Sequence, residues 1–306
     1  MLLNMKEEGM SKKIITRRDF LRVAALTPLA GAFAYGLKFP EAKEATEKAR
    51  VVLIRDENAL RSFKNSNPDV IHRMLDEAVA TFFNEKDPIA AWKKMIKPSD
   101  IVGIKSNVWG PIPTTREVEQ AIKRRIIDAG VAEENIGIDD RGVRRNPIFR
   151  KATALINVRP ARTHHWSGMG TCIKNYITFA PRWYEYHDDS CADLATIWKD
   201  FGLKEKTRLN ILVMLNPLFH GIGPHHYSDR YVWEYKGFLV GQDPVAVDAT
   251  GMRIIQAKRR EFFGEDRPLK PPAKHIFLAD TRHGLGVSSS DQIELIKLGW
   301  KGDILI

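Results

Sequence analysis

Histidines are concentrated in one part of this 306-residue chain, where six of the nine lie between residues 164 and 226. Neutral imidazole is the commonest metal ligand in proteins and also a general base near neutral pH. We therefore interpret His165, His220 and His226 as candidate ligands of a divalent metal ion, which is the leading cofactor hypothesis. Adjacent histidines in a strand point to opposite faces, so each His-His pair is expected to offer one ligand at most. A surface or structural role is the alternative for each histidine.

Basic and acidic side chains also stand where strands are predicted to end. Lys105, His164 and Lys174 would hold an anionic substrate, while Asp243 and Asp280 would hold a metal or transfer protons. The predicted catalytic residues are thus His164, Lys105, Asp243 and Asp280, and the predicted cofactor-binding residues are Asn107, Lys174 and Asn175.

Sheet geometry is what would bring these residues into one site. In an open parallel sheet, ligands bind beyond the carboxyl ends of the strands. Six segments that follow predicted strands carry His, Asp, Lys, Arg or Asn side chains, and we expect them to meet at one edge if all the strands run parallel. The alternative is that these are the polar residues with which strands commonly end. The six segments begin near residues 105, 139, 159, 216, 242 and 280.

The order of elements predicts an α/β fold, with a mostly parallel or mixed sheet and helices on both faces. Asp248, one turn into the last predicted helix, is interpreted as complementing the start of that helix rather than as catalytic. The segment 292–298 fits a strand or a helix. Strands are predicted at 51–54, 101–105, 136–138, 154–158, 209–215, 237–240 and 275–279, and helices at 67–83, 115–130 and 243–257.

Residues 166–198 contain seven of the 28 aromatic residues. They fit either an aromatic lid over the strand ends or a cap that packs on the sheet. Gly168 and Gly170 in this region are weak evidence for phosphate binding, because the third glycine of a dinucleotide fingerprint is missing. Cys172 and Cys191 fit two unpaired thiols, a disulfide or metal ligands. Two cysteines are too few for an iron–sulfur cluster with four cysteine ligands, so none is expected from this chain.

The N-terminal segment has the order of features found in an export signal. Arg17 and Arg18 form a twin-arginine pair, and a short apolar run and a small-residue site at residues 32–34 follow. The sequence thus predicts a twin-arginine (Tat) signal peptide at 1–34, a linker at 35–50 and a single α/β domain at 51–306. The protein would be exported folded to the periplasm by the Tat translocase, with a cleaved signal or a retained anchor.

Composition narrows the possible partners. The chain is 43% hydrophobic and 28% charged, as in ordinary globular proteins. Six basic and three acidic residues in 1–34 account for +3 of the formal charge of +10, which leaves +7 on the rest. This excess is spread along the chain, and an exported protein does not meet nucleic acid. We therefore expect a small-molecule or metal ligand, with a redox partner protein as a further possibility.

Several segments together resemble the family called domain of unknown function 362. The segment 241–249 (Gly-Gln-Asp-Pro-Val-Ala-Val-Asp-Ala) is the most telling. The resemblance covers about residues 95–300 and implies an α/β domain, which in this family is sometimes joined to a ferredoxin-like module that this chain lacks. The other segments that carry the resemblance are 102–107, 156–158, 163–165, 171–175 and 284–286.

Three functions remain open from the sequence. The first is an exported metal- or cofactor-dependent enzyme that acts on a small anionic substrate at the carboxyl edge of the sheet. The second is a binding protein that uses the same edge without catalysis. The third is an accessory subunit of an exported redox complex that presents the aromatic segment to a partner.

Overall fold

The structure is a computed structural model that describes residues 47–221 and 226–306. The predicted signal peptide, the linker up to residue 46 and His225 lie outside these residues. Among the helices of the described part, none has the length and apolar character needed to cross a membrane.

The core of the described chain is an eight-stranded mixed sheet, which confirms the predicted fold class. The strand order is β10-β1-β9-β8-β6-β4-β5, and β7 pairs with the end of β6. A separate small hairpin is formed by β2 and β3. The strands are β1 (Ala49–Arg55), β2 (Leu60–Ser62), β3 (Asn65–Ser66), β4 (Val102–Lys105), β5 (Ile136–Asp139), β6 (Ala154–His164), β7 (Gly168–Gly170), β8 (Thr207–Leu218), β9 (Gly237–Gly241) and β10 (Ile293–Gly299).

Helices cover both faces of the sheet. They are α1 (Pro68–Phe83), α2 (Pro88–Met95), α3 (Arg116–Asp128), α4 (Pro147–Lys151), α5 (Cys172–Asn175), α6 (Ala195–Asp200), α7 (Leu203–Lys206), α8 (Pro244–Phe263) and α9 (Lys274–Thr281). A further one-turn segment, Asp188–Cys191, contains left-handed backbone angles. Single 3₁₀ turns occur at Glu133–Asn135, Tyr176–Phe179, Trp183–His187, Asp229–Tyr231 and Ser290–Gln292.

Alternate side chains of the strands pack into two hydrophobic cores, one on each face of the sheet. In β1, Val52 and Ile54 pack with α1, α2 and α3, whereas Val51 and Leu53 pack with α8 and α9 on the other face. Successive strand side chains point to opposite faces, so a strand covered on both sides is apolar throughout. The central strands of this sheet therefore read as continuous apolar runs.

Two strands of the sheet run against the others, namely β9 and the short β7 at the end of β6. β1, β4, β5, β6, β8 and β10 share one direction, whereas β9 is antiparallel to both of its neighbours, β8 and β1. The residues that follow β9 therefore lie at the opposite edge of the sheet from those that follow β4, β5 and β6. The expectation that six strand ends meet at one edge is wrong for this reason.

One predicted strand is a helix. Residues 275–279 fall within α9, where His275, Ile276 and Ala279 are buried and Phe277 is exposed. This is the spacing of a helix face, because a half-buried strand would bury alternate residues. The undecided segment 292–298 is a strand, which pairs with β1 at the edge of the sheet. The short helix α2 was not predicted.

Candidate functional site

The main candidate site is a cavity of about 690 Å³ beyond the carboxyl ends of β4, β5 and β6. Basic side chains dominate its lining, and Asp140 supplies the carboxylate. Four of the predicted site residues line it, namely Asn107, His164, Lys174 and Asn175, and the predicted Lys105 lies directly behind Asp140. The rest of the lining is Trp109, Arg141, Gly142, Arg144, Arg145, Arg159, Arg162, Ile177, Thr178, Trp183 and His187. We call this space the basic cavity.

The cavity exists because β6 is longer than its neighbours. β4 pairs with β6 only as far as Asn157, while β6 continues to His164. The sheet edge therefore has a step, and the overhanging part of β6 carries Arg159 and Arg162. Residues three apart in a regular strand face opposite sides. An irregularity in the pairing between Pro160 and Arg162 turns both arginines toward the cavity.

Lys105 and Asp140 form a buried ion pair at the base of the cavity. The Lys105 Nζ also donates to the Ser106 carbonyl oxygen at 2.8 Å. Burial lowers the pKa of Lys105 to about 8 against the opposing effect of Asp140. Burial would raise the pKa of Asp140, but the charge and hydrogen bond of Lys105, with the Val108 N–H, bring it below its ordinary value. Asp140 is therefore ionised and paired with Lys105.

Asn175 joins this pair to the strands. Its amide nitrogen donates to the Asn157 side chain at 2.8 Å and to the backbone carbonyls of Lys105 and Val158. Its oxygen lies 3.4 Å from the nitrogens of Lys105 and Asn107. The predicted cofactor-binding residues Asn107 and Asn175 are therefore parts of a hydrogen-bonded wall, and this wall fixes their orientation.

Three further cations at the cavity are buried without a carboxylate partner among the described residues. The Nε atoms of Arg159 and Arg162 are buried without a hydrogen-bond partner, and Arg162 donates through its Nη1 to the neutral Asn107 oxygen at 2.9 Å. The Lys174 Nζ contacts the Cys191 Sγ at 3.5 Å. Burial lowers the pKa of Arg159 to about 10 and that of Lys174 to about 8. Asp140 and Asp248 offset the charge of Arg159 only from beyond ion-pair distance, and buried charge without a close counter-charge is costly, so this cluster favours an anion in the cavity.

His164 faces this cluster as a neutral ring. Burial, followed by the charges of Lys174 and Arg159, holds the pKa of His164 far below its ordinary value. The Trp166 N–H donates to Nδ1 at 3.2 Å, which assigns the ring proton to Nε2. His164 is therefore placed as a hydrogen-bond donor to an anion.

Asp248 holds the segment that carries Lys174 and Asn175. Its fully buried carboxylate accepts from the Thr171 hydroxyl at 2.7 Å and from the N–H groups of Cys172 and Ile173 at 2.8 Å. Asp248 therefore caps the start of α5. The prediction that it complements the start of its own helix, α8, is wrong. The residue that caps α8 is Asp243.

Asp243 and Asp280 lie away from the basic cavity. Asp243 follows β9, and its carboxylate accepts from the N–H groups of Val245, Ala246 and Val287. Asp280, in α9, accepts from the N–H and the hydroxyl of Ser288. Both carboxylates thus hold the backbone near residues 286–288. The structure does not bring them together with Lys105 and His164, because β9 is antiparallel and residues 275–279 form a helix.

The three predicted metal ligands do not share one site, because His165 lies apart from His220 and His226. His165 stacks on His164 at 4.6 Å between ring centroids, so this pair does not point to opposite faces. His220 and His226 line a second cavity of about 920 Å³ with Arg259 and Arg267. The Arg259 guanidinium donates to the His220 Nδ1 at 3.0 Å. Within residues 47–221 and 226–306, no three His, Cys, Asp or Glu side chains are grouped to hold a metal ion.

Cys172 and Cys191 are both buried, free thiols. The two glycines near them have packing functions. A Cβ on Gly170 would lie 2.6 Å from the Arg159 guanidinium, and one on Gly168, whose φ is +71°, would meet the Pro271 carbonyl oxygen. The backbone of β7 therefore passes directly against Arg159, which explains Gly170 without a phosphate loop.

Sequence reasoning missed much of the cavity wall. Arg141, Arg144 and Arg145 follow β5 in one short loop, and Trp109 packs under the Arg162 guanidinium at 4.5 Å. The basic run directly after a strand was the available signal for the loop arginines. Pro160, inside a strand, was the signal for the irregularity that aligns Arg159 with Arg162, because proline within sheets is found at bulges and edges.

Comparison with known families gives one match. Residues 135–253 match the family model described as domain of unknown function (DUF362). This segment runs from β5 into α8 and contains Asp140, Arg159, Arg162, Lys174 and Asp248. The match supports the resemblance seen in the sequence. Neither the curated proteins nor the solved structures gave a match.

We expect Asp248→Ala to reduce the free energy of unfolding by about 3 kcal/mol, because three buried donors lose their acceptor. Chemical denaturation measures this change. Asp87→Ala is the control, since it removes the exposed cap of α2 and is expected to cost about 1 kcal/mol. Equal losses in the two variants would contradict the role given to Asp248.

Proposed function

We propose that the protein binds a small dianion, such as a phosphate monoester, in the basic cavity. The observation that carries this proposal is the set of three buried cations, Arg159, Arg162 and Lys174, that have no carboxylate partner in the described chain. A doubly charged head group would compensate charge that the protein leaves open. Guanidinium groups match phosphate oxygens in geometry, which favours phosphate over a single carboxylate.

The position of the cavity supports the same function. Ligands of open α/β sheets bind beyond the carboxyl ends of the strands, and the basic cavity lies there. The exposed arginines 141, 144 and 145 stand around the buried cations and would attract an anion from solution. The neutral His164, with its proton on Nε2, adds a donor that needs no charge.

Removing one buried cation tests this function. We expect Arg159→Met to weaken binding of ribose 5-phosphate at least about 30-fold in calorimetric titration, since a buried charged contact is lost. The ligand-free variant is expected to be as stable as the natural protein or more stable, because an uncompensated charge has been removed.

Arg260→Met is the control for this experiment. Arg260 is exposed, pairs with Asp266 and lies outside the basic cavity, so its replacement should leave binding unchanged. Failure of the natural protein to bind ribose 5-phosphate or inorganic phosphate would reject the proposed function.

Binding should depend on pH with a defined sign. The pKa values of Lys105 and Lys174 are lowered to about 8, so both are cationic below that pH and lose charge above it. Affinity for the dianion is therefore expected to be full at pH 7 and to fall as the pH rises through 8. Because the unfolded lysines keep their protons to about pH 10.4, the ligand-free protein should gain stability between pH 8 and 10. Titrations and denaturation at each pH measure the two trends, and affinity that stays constant from pH 7 to 10 would contradict this assignment.

Export by the Tat route is also proposed, on the strength of residues 16–34, which lie outside the described part of the chain. Replacement of the pair by Arg17→Lys with Arg18→Lys should retain the protein in the cytoplasm, as shown by cell fractionation. The control is Lys12→Gln with Lys13→Gln, which changes two nearby charges and leaves the arginine pair intact. Unchanged export in the arginine variant would exclude this route.

A further inference from the structure

The basic cavity has a second side that phosphate binding leaves unexplained. Besides the buried cations, its lining includes Trp183, His187, Ile177 and Thr178. These residues come from the segment between α5 and α6, not from the sheet. A site that bound only a phosphate group would have no use for such a wall.

The rings on this side form a connected group. Trp183 and His187 lie 5.4 Å apart between ring centroids and are perpendicular to each other. Trp166 packs on the other side of His187 at 4.1 Å. Burial, followed by the charge of Lys174, lowers the pKa of His187 to about 4, so the imidazole is an uncharged ring at neutral pH. This part of the wall therefore presents uncharged rings, although Lys174 lies close enough to act on His187.

Trp183 is the ring of this group that remains exposed in the cavity. Its side chain lines the cavity and is 47% exposed. Indole has a large apolar face, and aromatic pairs gain energy in stacked or edge-to-face geometry. A ligand ring at this position would cover surface that the described chain does not cover.

The cavity is large enough for both parts of such a ligand. Its volume of about 690 Å³ lies within the range of about 300–1,000 Å³ that is usual for sites holding drug-sized molecules. A phosphate group alone occupies a small part of this space. The remaining volume is bordered by the other lining residues, which include Trp183 and His187.

We propose that the ligand is a nucleoside monophosphate, whose phosphate group meets Arg159, Arg162 and Lys174 and whose base stacks on Trp183. This inference rests on the proposed function and adds the planar ring to the phosphate. The base–aromatic contact is tolerant of base identity, because every base has a π face.

Calorimetric titration of the full chain tests the ring separately from the phosphate. The probes are AMP, GMP, CMP and UMP, with ribose 5-phosphate as the matched compound that lacks a base. At least one nucleotide is expected to bind about tenfold more tightly than ribose 5-phosphate, and to quench tryptophan fluorescence where ribose 5-phosphate does not.

Trp183→Leu should bring that nucleotide to the affinity of ribose 5-phosphate and leave the affinity of ribose 5-phosphate unchanged. Phe201→Leu, which replaces another exposed aromatic residue outside the cavity, should change neither affinity. Should Trp183→Leu fail to fold, the fluorescence comparison in the natural protein decides the same question.

Two negative results are distinguishable. If ribose 5-phosphate binds and no nucleotide exceeds it, the ring contact is wrong and the proposed dianion site stands. If neither ribose 5-phosphate nor any nucleotide binds, both proposals are overturned.

Discussion

The site depends on one buried carboxylate that does not touch the cavity. Asp248 on α8 accepts three hydrogen bonds from the start of α5 and so fixes a helix of only four residues. A helix this short has no stability of its own in water. Because α5 carries both Lys174 and Asn175, the geometry of the basic cavity depends on a residue of α8, a helix that packs on one face of the sheet.

A second set of hydrogen bonds connects α5 to the strands. Asn175 bonds to the backbones of β4 and β6, and its oxygen lies near the Lys105 Nζ. Lys105 in turn holds Asp140 at the end of β5. Three strands and α5 are thus joined by hydrogen bonds whose donors and acceptors are nearly all buried. Such a wall resists rearrangement, since any broken bond leaves a buried polar group without a partner.

Sequence patterns were sufficient for most of the fold. Long apolar runs such as that of β8 and the Asp243-Pro244 start of α8 are local signals, and the elements formed where those signals predicted them. The strand predicted at 275–279 was wrong because a short, mainly apolar run fits a strand as well as a buried helix face. The period becomes visible only when burial is known.

The candidate site was only partly predictable. Lys105 and Asn107 lie at the site because β4 ends there beside the parallel strand β6, as assumed, whereas Lys174 and Asn175 are brought to it by α5. The prediction placed Asp243 at the wrong edge of the sheet. The direction of β9 is set by its pairing partners, and no residue within β9 encodes that direction. The alignment of Arg159 with Arg162 required a pairing irregularity whose effect on side-chain direction appears only in three dimensions.

The origin of the two cavity walls has a consequence for how this site changes. The deep cations stand on β6 and α5, which are tied into the core, whereas Trp183 and His187 stand in a surface segment that contributes no strand to the sheet. Substitutions in the surface segment can alter the shape offered to the uncharged part of a ligand while the charged anchor stays in place. If the cavity binds the proposed anion, affinity and selectivity are encoded in separate segments of the chain, and selectivity can change without a new fold or a new anchor.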